Sequence, residues 1–310
     1  MIGKDLLGIE SLSAPEIEII LKRGFLHKNG FFTVGKPLPL QGKTVATLFY
    51  EPSTRTRTSF ELAAKRLGAD VVSLAIAQSS VQKGESLKDT GMTLNAMGID
   101  AAIIRHQMSG APALLARYMS AAVINAGDGT HEHPTQALLD AMTIMQYKKE
   151  FKGLKVAIVG DILHSRVARS NMILLGKMGA EVTVCGPATL LPKGLQAYEA
   201  TVTTDIEEAL QGKDVVMALR IQLERQQKGL FPSISEYFRL YGIDTKKMQL
   251  AAKDAILMHP GPVNRGVEIS SEATDAPYSV ILDQVTNGLA IRMALLEILT
   301  GGELRIENIA

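Results

Sequence analysis

Residues 53–58, Ser-Thr-Arg-Thr-Arg-Thr, form the stretch of this chain best suited to binding an anion. They follow an apolar run at 44–50 that predicts a buried strand, and they precede a run at 59–67 with apolar residues at helical spacing. The first turn of a helix presents unpaired backbone N–H groups and a partial positive charge, which favour an anion. Arg55 and Arg57 add forked donors that match phosphate or carboxylate oxygens. The pattern therefore predicts an anion site at the start of a helix.

A simpler interpretation of this turn is that Ser53 or Thr54 only caps the helix, as serine and threonine commonly do. The arginines would then be solvated. The turn contains Thr56 and Thr58 as well, and four hydroxyls interleaved with two arginines are more than a cap requires. We therefore favour the anion site.

Residues 131–136, His-Glu-His-Pro-Thr-Gln, invite a metal-site interpretation. However, His131 and His133 are two positions apart and do not share a helix face, and no further cluster of ligands stands nearby. We therefore predict no metal here. Pro134 suits the first turn of a helix. His133 and Gln136 would then lie at a second helix N-terminus, where they can donate to a carbonyl oxygen.

Three more arginines, Arg105, Arg166 and Arg220, follow strand-like runs. The carboxyl ends of parallel strands face the ligand crevice, so these positions suit binding. For Arg105, a solvated surface position is an equally good interpretation on sequence position alone. Arg166 and Arg220 lie on separate strands and could each fork onto one carboxylate of a dicarboxylate substrate. Taken alone, that pairing is only suggestive.

Strand-like and helical runs alternate along the 310 residues, which exceed one average domain. We predict an α/β protein with two doubly wound parallel-sheet domains, spanning 1–149 and 150–286. A strongly apolar helix follows at 287–300. The run at 155–161 ends in Gly-Asp but lacks the full Gly-x-Gly-x-x-Gly fingerprint, so we predict no nucleotide cofactor.

The composition is that of an ordinary globular protein, with 46% hydrophobic and 21% charged residues. A net charge of +1 argues against general nucleic-acid binding. We also predict no membrane span and no signal peptide. The single cysteine, Cys185, excludes an internal disulfide, and its strand-like surroundings predict a buried, inert thiol. A cytoplasmic setting is consistent with this pattern.

Several of these motifs, in order along nearly the whole chain, resemble the transcarbamylases. Residues 53–57 resemble the carbamoyl-phosphate signature of that family. Gly-Asp-Gly at 127–129, followed by His-Pro-Thr-Gln at 133–136, is highly specific for it. Residues 79–85 resemble a loop that in aspartate transcarbamylases reaches the active site of the neighbouring subunit. Residues 160–166 resemble the opening of their aspartate domain. The family's final helix, matching 287–303 here, packs back on the first domain.

The resemblance assigns a set of residues to carbamoyl phosphate, namely Ser53, Thr54, Arg55, Thr56, Arg105, His133, Gln136, Gly261 and Pro262. The first four would bind the phosphate. Thr56, Arg105 and His133 would polarise the carbonyl oxygen. Gln136 and the backbone at 261–262 would hold the carbamoyl amide. Two prolines flank Gly261, which predicts an unusual backbone course there and makes a cis peptide bond plausible.

The resemblance assigns a second set to aspartate, namely Lys83, Arg166, Arg220 and Gln222. Lys83 would come from a neighbouring chain and bridge both substrates. The resemblance thus implies a homotrimer with shared active sites, and it leaves open whether regulatory chains join it. It implies no cofactor.

The second substrate separates the members of the family. Ornithine enzymes carry a cysteine in the loop where this chain has His-Pro-Gly-Pro at 259–262, and their substrate is cationic. Arg166, Arg220 and Lys83 favour a dianionic amino acid, so we predict carbamoyl transfer to aspartate, an early step of pyrimidine biosynthesis. No side-chain nucleophile with an activating partner is evident, which favours direct attack by the amine. Transfer to a related amino acid and a non-catalytic binding homologue are the alternatives.

Overall fold

The computed structural model describes residues 2–30, 38–74, 85–221 and 233–301. The chain forms two compact units, Met1–Leu139 with Thr286–Ala310, and Asp140–Val285. The predicted limits after residues 149 and 286 separate a carbamoyl-phosphate domain from an aspartate domain. They stay predictions.

The first unit is built on a four-stranded parallel sheet. In chain order its strands are β1 (Thr44–Phe49), β2 (Asp70–Leu74), β3 (Ala101–His106) and β4 (Ala122–Asp128). Across the sheet the order is β2-β1-β3-β4, so the direction of strand addition reverses between β1 and β3. Val45 and Ala46, which point to opposite faces of the sheet, are both fully buried. Burial on both faces explains why β1 is a continuous apolar run.

Helices connect these strands. They are α1 (Ala14–Lys28), α2 (Thr54–Arg66), α3 (Leu87–Ala96), α4 (Ala111–Ala116) and α5 (Pro134–Lys148), the last of which runs into the second unit. A capping box starts α1, where the Ser13 N–H donates to the Glu16 carboxylate at 2.9 Å. The Ser86 hydroxyl starts α3 by accepting from the Asp89 N–H at 3.2 Å.

The second unit is built on a five-stranded parallel sheet. Its strands are β5 (Lys155–Val159), β6 (Glu181–Cys185), β7 (Thr201–Thr203), β8 (Val215–Ala218) and β9 (Ile256–Met258). The order is β7-β6-β5-β8-β9, with the reversal between β5 and β8. Cys185 is fully buried at the end of β6, and burial raises the pKa of its thiol to about 12. The prediction of a buried thiol is confirmed.

The helices of the second unit pack on this sheet. They are α6 (Arg166–Lys177), α7 (Ile206–Leu210), α8 (Ile234–Tyr241), α9 (Thr245–Met248) and α10 (Ser271–Thr274), with short 3₁₀ turns at Ala188–Leu190 and Leu195–Tyr198. Buried apolar residues of the sheet, α7, α9 and α10 form one core cluster that includes Leu210, Val216 and Leu257.

The last helix, α11 (Ile281–Thr300), begins earlier than the predicted start at residue 287. From Thr286 onward it belongs to the first unit. There Glu297 accepts a hydrogen bond of 2.7 Å from Arg23 and contacts His27 at 2.7 Å, both on α1. The prediction that this helix packs back on the first domain is therefore confirmed. The α/β fold with two doubly wound parallel sheets is confirmed as well.

Within the described ranges, no helix has the length and apolar character needed to cross a membrane.

Candidate active site

In the first unit, the candidate site residues lie where the sheet order reverses. β1 and β3 pair in parallel, with Phe49 opposite Arg105. The Tyr50 N–H then donates to the Arg105 carbonyl at 2.9 Å, so the two strands leave the sheet side by side. Ligands of open α/β sheets bind outside the carboxyl ends of strands at such a reversal. The turn at 53–56 and Arg105 therefore lie at the place the fold favours for a ligand.

The turn after β1 leads directly into α2, as predicted. Ser53 is the residue before the helix, but its side chain makes no capping hydrogen bond within the described residues. The first helical bond runs from the Arg57 N–H to the Ser53 carbonyl at 3.1 Å. The N–H groups of Thr54, Arg55 and Thr56 therefore precede the helical hydrogen-bond ladder, which is where anions bind. Thr54 and Arg55 are exposed, whereas Thr56 is buried.

The other arginine of this turn has a different role. The Nε of Arg57 donates to the Glu61 carboxylate at 2.8 Å, one helical turn further along α2. The same carboxylate accepts a hydrogen bond of 2.7 Å from the Ser73 hydroxyl on β2. Arg57 thus supports α2 through its Nε, and its role as an anion donor beside Arg55 stays a prediction.

Arg105 is held by a glutamate that sequence analysis did not single out. Its Nε donates to the Glu51 carboxylate at 3.2 Å, and the two side chains are only 15% and 11% exposed. Glu51 lies between the end of β1 and the anion turn, so one ion pair connects the two parts of the site. The sequence contained no signal for this pair, because α2, β2 and α3 separate its members along the chain.

The turn after β4 is organised by Asp128, which is 1% exposed. Its carboxylate accepts hydrogen bonds from the Gly110 N–H at 2.7 Å and the Asn125 amide at 2.8 Å, and it contacts His131 at 3.1 Å. Glu132 is also buried, and both its carboxylate oxygens accept from the Ile9 N–H, at 3.0 and 2.9 Å. These acidic residues stabilise the turn. Over the described ranges, no cluster of potential ligands could hold a metal ion.

His133 and Gln136 lie at the N-terminus of α5, where the sequence placed them. The His133 carbonyl accepts from the N–H groups of Gln136 at 3.0 Å and Ala137 at 3.3 Å, which starts the helix. The side chains of His133 and Gln136 are 4% and 8% exposed. Because β4 neighbours β3 in the sheet, this N-terminus lies at the same edge as Arg105.

The second unit repeats this arrangement at the reversal between β5 and β8. Val159 pairs with Ala218, and the Leu219 N–H donates to the Val159 carbonyl at 2.8 Å. Gly160 follows β5 with a φ of +135°, and a Cβ there would lie 3.1 Å from the Leu219 side chain. Glycine therefore lets the two strand ends approach closely. Arg166 and Arg220 follow these two strands.

Arg166 is the first residue of α6 and is 4% exposed. The Ser165 hydroxyl caps the helix by accepting from the Ala168 N–H at 3.1 Å. Before it, the buried Asp161 carboxylate lies 3.0 Å from the Nδ1 of His164. These contacts secure the turn that presents Arg166. Arg220, just beyond β8, is partly buried.

The loop after β9 contains the predicted substrate contacts Gly261 and Pro262. The peptide bond between them is cis, as the sequence made plausible. The N–H of His259 donates to the Gln284 side chain at 2.9 Å, and the Nδ1 of His259 accepts from the Gly261 N–H at 2.8 Å. The side chain of His259 thus closes the loop on itself. From the sequence alone, this histidine is only one member of the His-Pro-Gly-Pro motif.

The structure therefore brings the predicted residues together in two groups, one per unit. The first contains Ser53, Thr54, Arg55, Thr56, Arg105, His133 and Gln136. The second contains Arg166 and Arg220 at the β5–β8 reversal, with Gly261 and Pro262 following the adjacent strand β9. Lys83 and Gln222 lie outside the described residues.

Comparison with known families gives matches over both units. The carbamoyl-P binding domain of aspartate/ornithine carbamoyltransferases matches residues 4–146, and the Asp/Orn binding domain matches residues 152–299. The chain is 58% identical over 306 residues to an aspartate carbamoyltransferase catalytic subunit of Pelotomaculum thermopropionicum, covering 98% of this chain and 99% of the relative. It is 60% identical over 300 residues to the corresponding protein of Moorella thermoacetica, covering 96% and 98%.

Solved structures give the same result for the fold. The ornithine carbamoyltransferase from Pyrococcus furiosus matches with a TM-score of 0.87 at 32% identity, covering 97% of this chain and 98% of that one. The aspartate transcarbamoylase from Trypanosoma cruzi, in complex with carbamoyl phosphate and aspartate, matches with a TM-score of 0.85 at 29% identity, covering 95% and 96%.

Proposed function

The chain belongs to the aspartate/ornithine carbamoyltransferase family, and from this membership we propose that it transfers the carbamoyl group of carbamoyl phosphate to the α-amine of L-aspartate. The products are N-carbamoyl-L-aspartate and phosphate. This reaction is an early step of pyrimidine biosynthesis. The single observation that carries the choice of aspartate is the position of Arg166 and Arg220 at the β5–β8 reversal. Relatives close to 60% identical that are named for aspartate support it.

The phosphate of carbamoyl phosphate is bound at the start of α2. Backbone N–H groups at 54–56 and the positive end of the helix dipole favour a dianion there. The hydroxyls of Ser53, Thr54 and Thr56 add neutral donors, and the exposed Arg55 adds a guanidinium. The backbone donors need no rearrangement to bind the phosphate, because they already lie outside the hydrogen-bond ladder of the helix.

The carbonyl oxygen of the substrate is polarised by Thr56, Arg105 and His133. Glu51 accepts from the Nε of Arg105 and the Ala126 carbonyl lies 3.5 Å from its Nη1, and these contacts hold in place a guanidinium with five N–H donors in all. Donors held in place before the reaction stabilise developing charge without reorganising. Gln136, with the backbone of Gly261 and Pro262, binds the carbamoyl amide.

Arg166 and Arg220 bind the two carboxylates of aspartate. A guanidinium forks onto a carboxylate with two parallel hydrogen bonds, which also fixes the orientation of the amino acid. Lys83, from a neighbouring chain, and Gln222 complete this part of the proposed site.

The reaction proceeds by direct attack. The unprotonated amine of aspartate forms a C–N bond to the carbonyl carbon, and negative charge develops on the carbonyl oxygen. When the carbonyl re-forms, the C–O bond to phosphate breaks and its electron pair leaves with the phosphate. An oxygen of the departing phosphate accepts the proton that the nitrogen loses. Catalysis consists of orienting the amine and stabilising the oxyanion. No group on the enzyme becomes covalently modified.

Transfer to ornithine is the second candidate, because ornithine enzymes share the fold closely. Similarity of fold does not discriminate between the two substrates. Two arginines would repel the cationic side chain of ornithine and would attract the second carboxylate of aspartate. A non-catalytic homologue is the third candidate.

The proposed assembly is a cytoplasmic homotrimer whose neighbouring chains share active sites, with regulatory chains as possible additional partners. The name "catalytic subunit" carried by the relatives supports an assembly of more than one chain.

The test is product formation by the purified chain from carbamoyl phosphate, with aspartate and separately with ornithine. Carbamoyl-aspartate alone is the expected product. Carbamoyl-ornithine alone would overturn the argument from Arg166 and Arg220. No product with either amine, from a folded oligomer, would favour a non-catalytic or partner-dependent protein.

A further inference from the structure

Glu268 is a buried carboxylate that lies outside every predicted site. The residue is 2% exposed, and three N–H groups donate to it. The Ile221 N–H donates to Oε1 at 2.9 Å, the Asn264 N–H to Oε2 at 2.9 Å, and the Asn264 side-chain amide to Oε1 at 2.8 Å. A carboxylate accepts at both oxygens, whereas a glutamine would place an NH₂ donor against one of these donors.

The donors belong to the two segments of the second unit that carry proposed substrate contacts. Ile221 directly follows Arg220, whose side chain we assign to aspartate. Asn264 is two residues beyond Pro262, whose backbone we assign to the carbamoyl amide. In addition, the Asn264 amide lies 3.4 Å from the Ile221 carbonyl. One side chain thus fastens the end of β8 to the loop after β9.

We propose that Glu268 is a positioning residue for the transfer reaction, an inference that rests on the proposed function. By holding Ile221 and Asn264 to a single carboxylate, it sets Arg220 and the Gly261–Pro262 backbone in a fixed relation within the unit. The proposed contacts of both substrates are then positioned by one buried side chain that touches neither substrate.

The geometry excludes two simpler roles for Glu268. An acid–base catalyst must reach the proton it transfers, whereas this carboxylate is buried and directs both oxygens at backbone and amide donors. An ordinary packing role is a poor explanation too, because burying a carboxylate is costly compared with burying an apolar side chain of similar size. The carboxylate instead fixes the position of the end of β8 relative to the loop after β9.

The experiment compares Glu268→Gln with Glu272→Gln in steady-state kinetics on the full chain. Glu272 lies four residues away at an exposed position of α10, so its variant removes the same charge without touching either segment. For Glu268→Gln we expect kcat/KM for aspartate to fall at least about tenfold, with KM rising, since small misplacements of orienting groups reduce rates strongly. Glu272→Gln should match the wild type. A folded Glu268→Gln protein with unchanged kcat and KM would overturn the proposal. The same holds if that protein is less stable than the wild type but has unchanged kinetics.

A second measurement does not depend on activity. Amide hydrogen exchange at Ile221 and Asn264 should accelerate in Glu268→Gln and remain unchanged in Glu272→Gln. Glu268→Asp, which keeps the charge but is one methylene shorter, serves if the glutamine variant does not fold. It should show the same two effects. Equal exchange in variant and wild type would overturn the role of Glu268. An inactive wild type with accelerated exchange in the variant would instead reject only the proposed function.

Discussion

The side-chain nitrogen of Gln284 donates a hydrogen bond of 2.8 Å to the carboxylate of Asp140, and both residues are buried in the second unit. The oxygen of the same amide accepts from the His259 N–H at 2.9 Å. The Asn171 amide is a further donor to Asp140, at 2.9 Å. α5, α6 and α11 are thereby linked to the strand end that precedes the Gly261–Pro262 loop.

Gln284→Ala removes the centre of this network. It takes one donor from the buried Asp140 carboxylate and leaves the His259 N–H without its acceptor. We expect a loss of about 1–3 kcal/mol in the free energy of unfolding, the usual cost of unsatisfied buried polar groups. Urea denaturation measures it. Gln249→Ala, at an exposed position of the same unit, is the control and should change stability little. Equal stability of the two variants would contradict the importance of the network.

Arg105→Ala tests the proposed oxyanion donor. We expect turnover to fall at least about 10²-fold, the scale on which enzymes lose rate when one preorganised donor is removed. The variant also breaks the ion pair between Arg105 and Glu51, so unfolding must be measured in parallel. Arg117→Ala, at an exposed position of the same unit, should retain normal turnover. Near-normal turnover of a folded Arg105→Ala protein would remove Arg105 from the catalytic role.

Arg220→Lys and Arg166→Lys test the recognition of aspartate. Lysine keeps the charge but lacks the planar fork, so one hydrogen bond to each carboxylate is lost. We expect KM for aspartate to rise about tenfold, which corresponds to about 1.4 kcal/mol of binding free energy. KM for carbamoyl phosphate should change much less. The control is Arg239→Lys, whose side chain is 74% exposed. A matching rise in KM for both substrates would indicate general disturbance and not loss of aspartate contacts.

Glu297 predicts a pH dependence of stability in the first unit. Burial alone would raise the pKa of its carboxyl group, but hydrogen bonds from His27 and Arg23 and the charge of Arg23 lower that pKa to about 2. Because the folded pKa lies below the ordinary value of 4.5, the ionised group stabilises the fold above about pH 4.5. This stabilisation is lost as the pH falls towards 2.

Glu297→Gln should therefore lower the free energy of unfolding by about 1–3 kcal/mol at neutral pH, an amount reduced by partial solvent exposure. The difference from the wild type should shrink as the pH decreases from 4.5 towards 2. Denaturant titrations at several pH values measure it. Glu18→Gln, an exposed substitution on α1, should give no such trend. A constant difference between Glu297→Gln and wild type at all pH values would show that the ion pair does not control the titration.

Much of the fold could be predicted because its signals are local. The apolar runs that became β1, β3, β5 and β8 are short, continuous and followed by polar turns, as expected of strands buried on both faces. The start of α1 also has a local signal, because Ser13 and Glu16 have the spacing of a capping box. Strand ends in parallel sheets are also predictable positions for ligand-binding residues, which is why Arg105 and Arg220 could be chosen.

The start of α11 could not be predicted, because its first turns reverse the usual pattern. Leu282 is 80% exposed, whereas Gln284 is 3% exposed and bonded to Asp140. An apolar residue outside and a polar one inside give no amphipathic signal, so the sequence indicated a later start at residue 287. The burial of Gln284 depends on a partner 144 residues away.

The roles of individual charged side chains were decided only by the tertiary structure. Arg55 and Arg57 are equivalent by type and spacing, and only the folded chain shows that the Nε of Arg57 donates to Glu61 one turn further along α2. Glu51 and Glu268 carried no pattern, because Glu51 pairs with Arg105, 54 residues away, and Glu268 accepts from the Ile221 N–H, 47 residues away. By itself, the sequence determined the strands, the turns and the chemistry at the strand ends. A charged side chain either stabilises the fold or is presented to a ligand. Which of the two it does depends on its distances to residues far apart in the chain. The local sequence pattern contains no information on those distances.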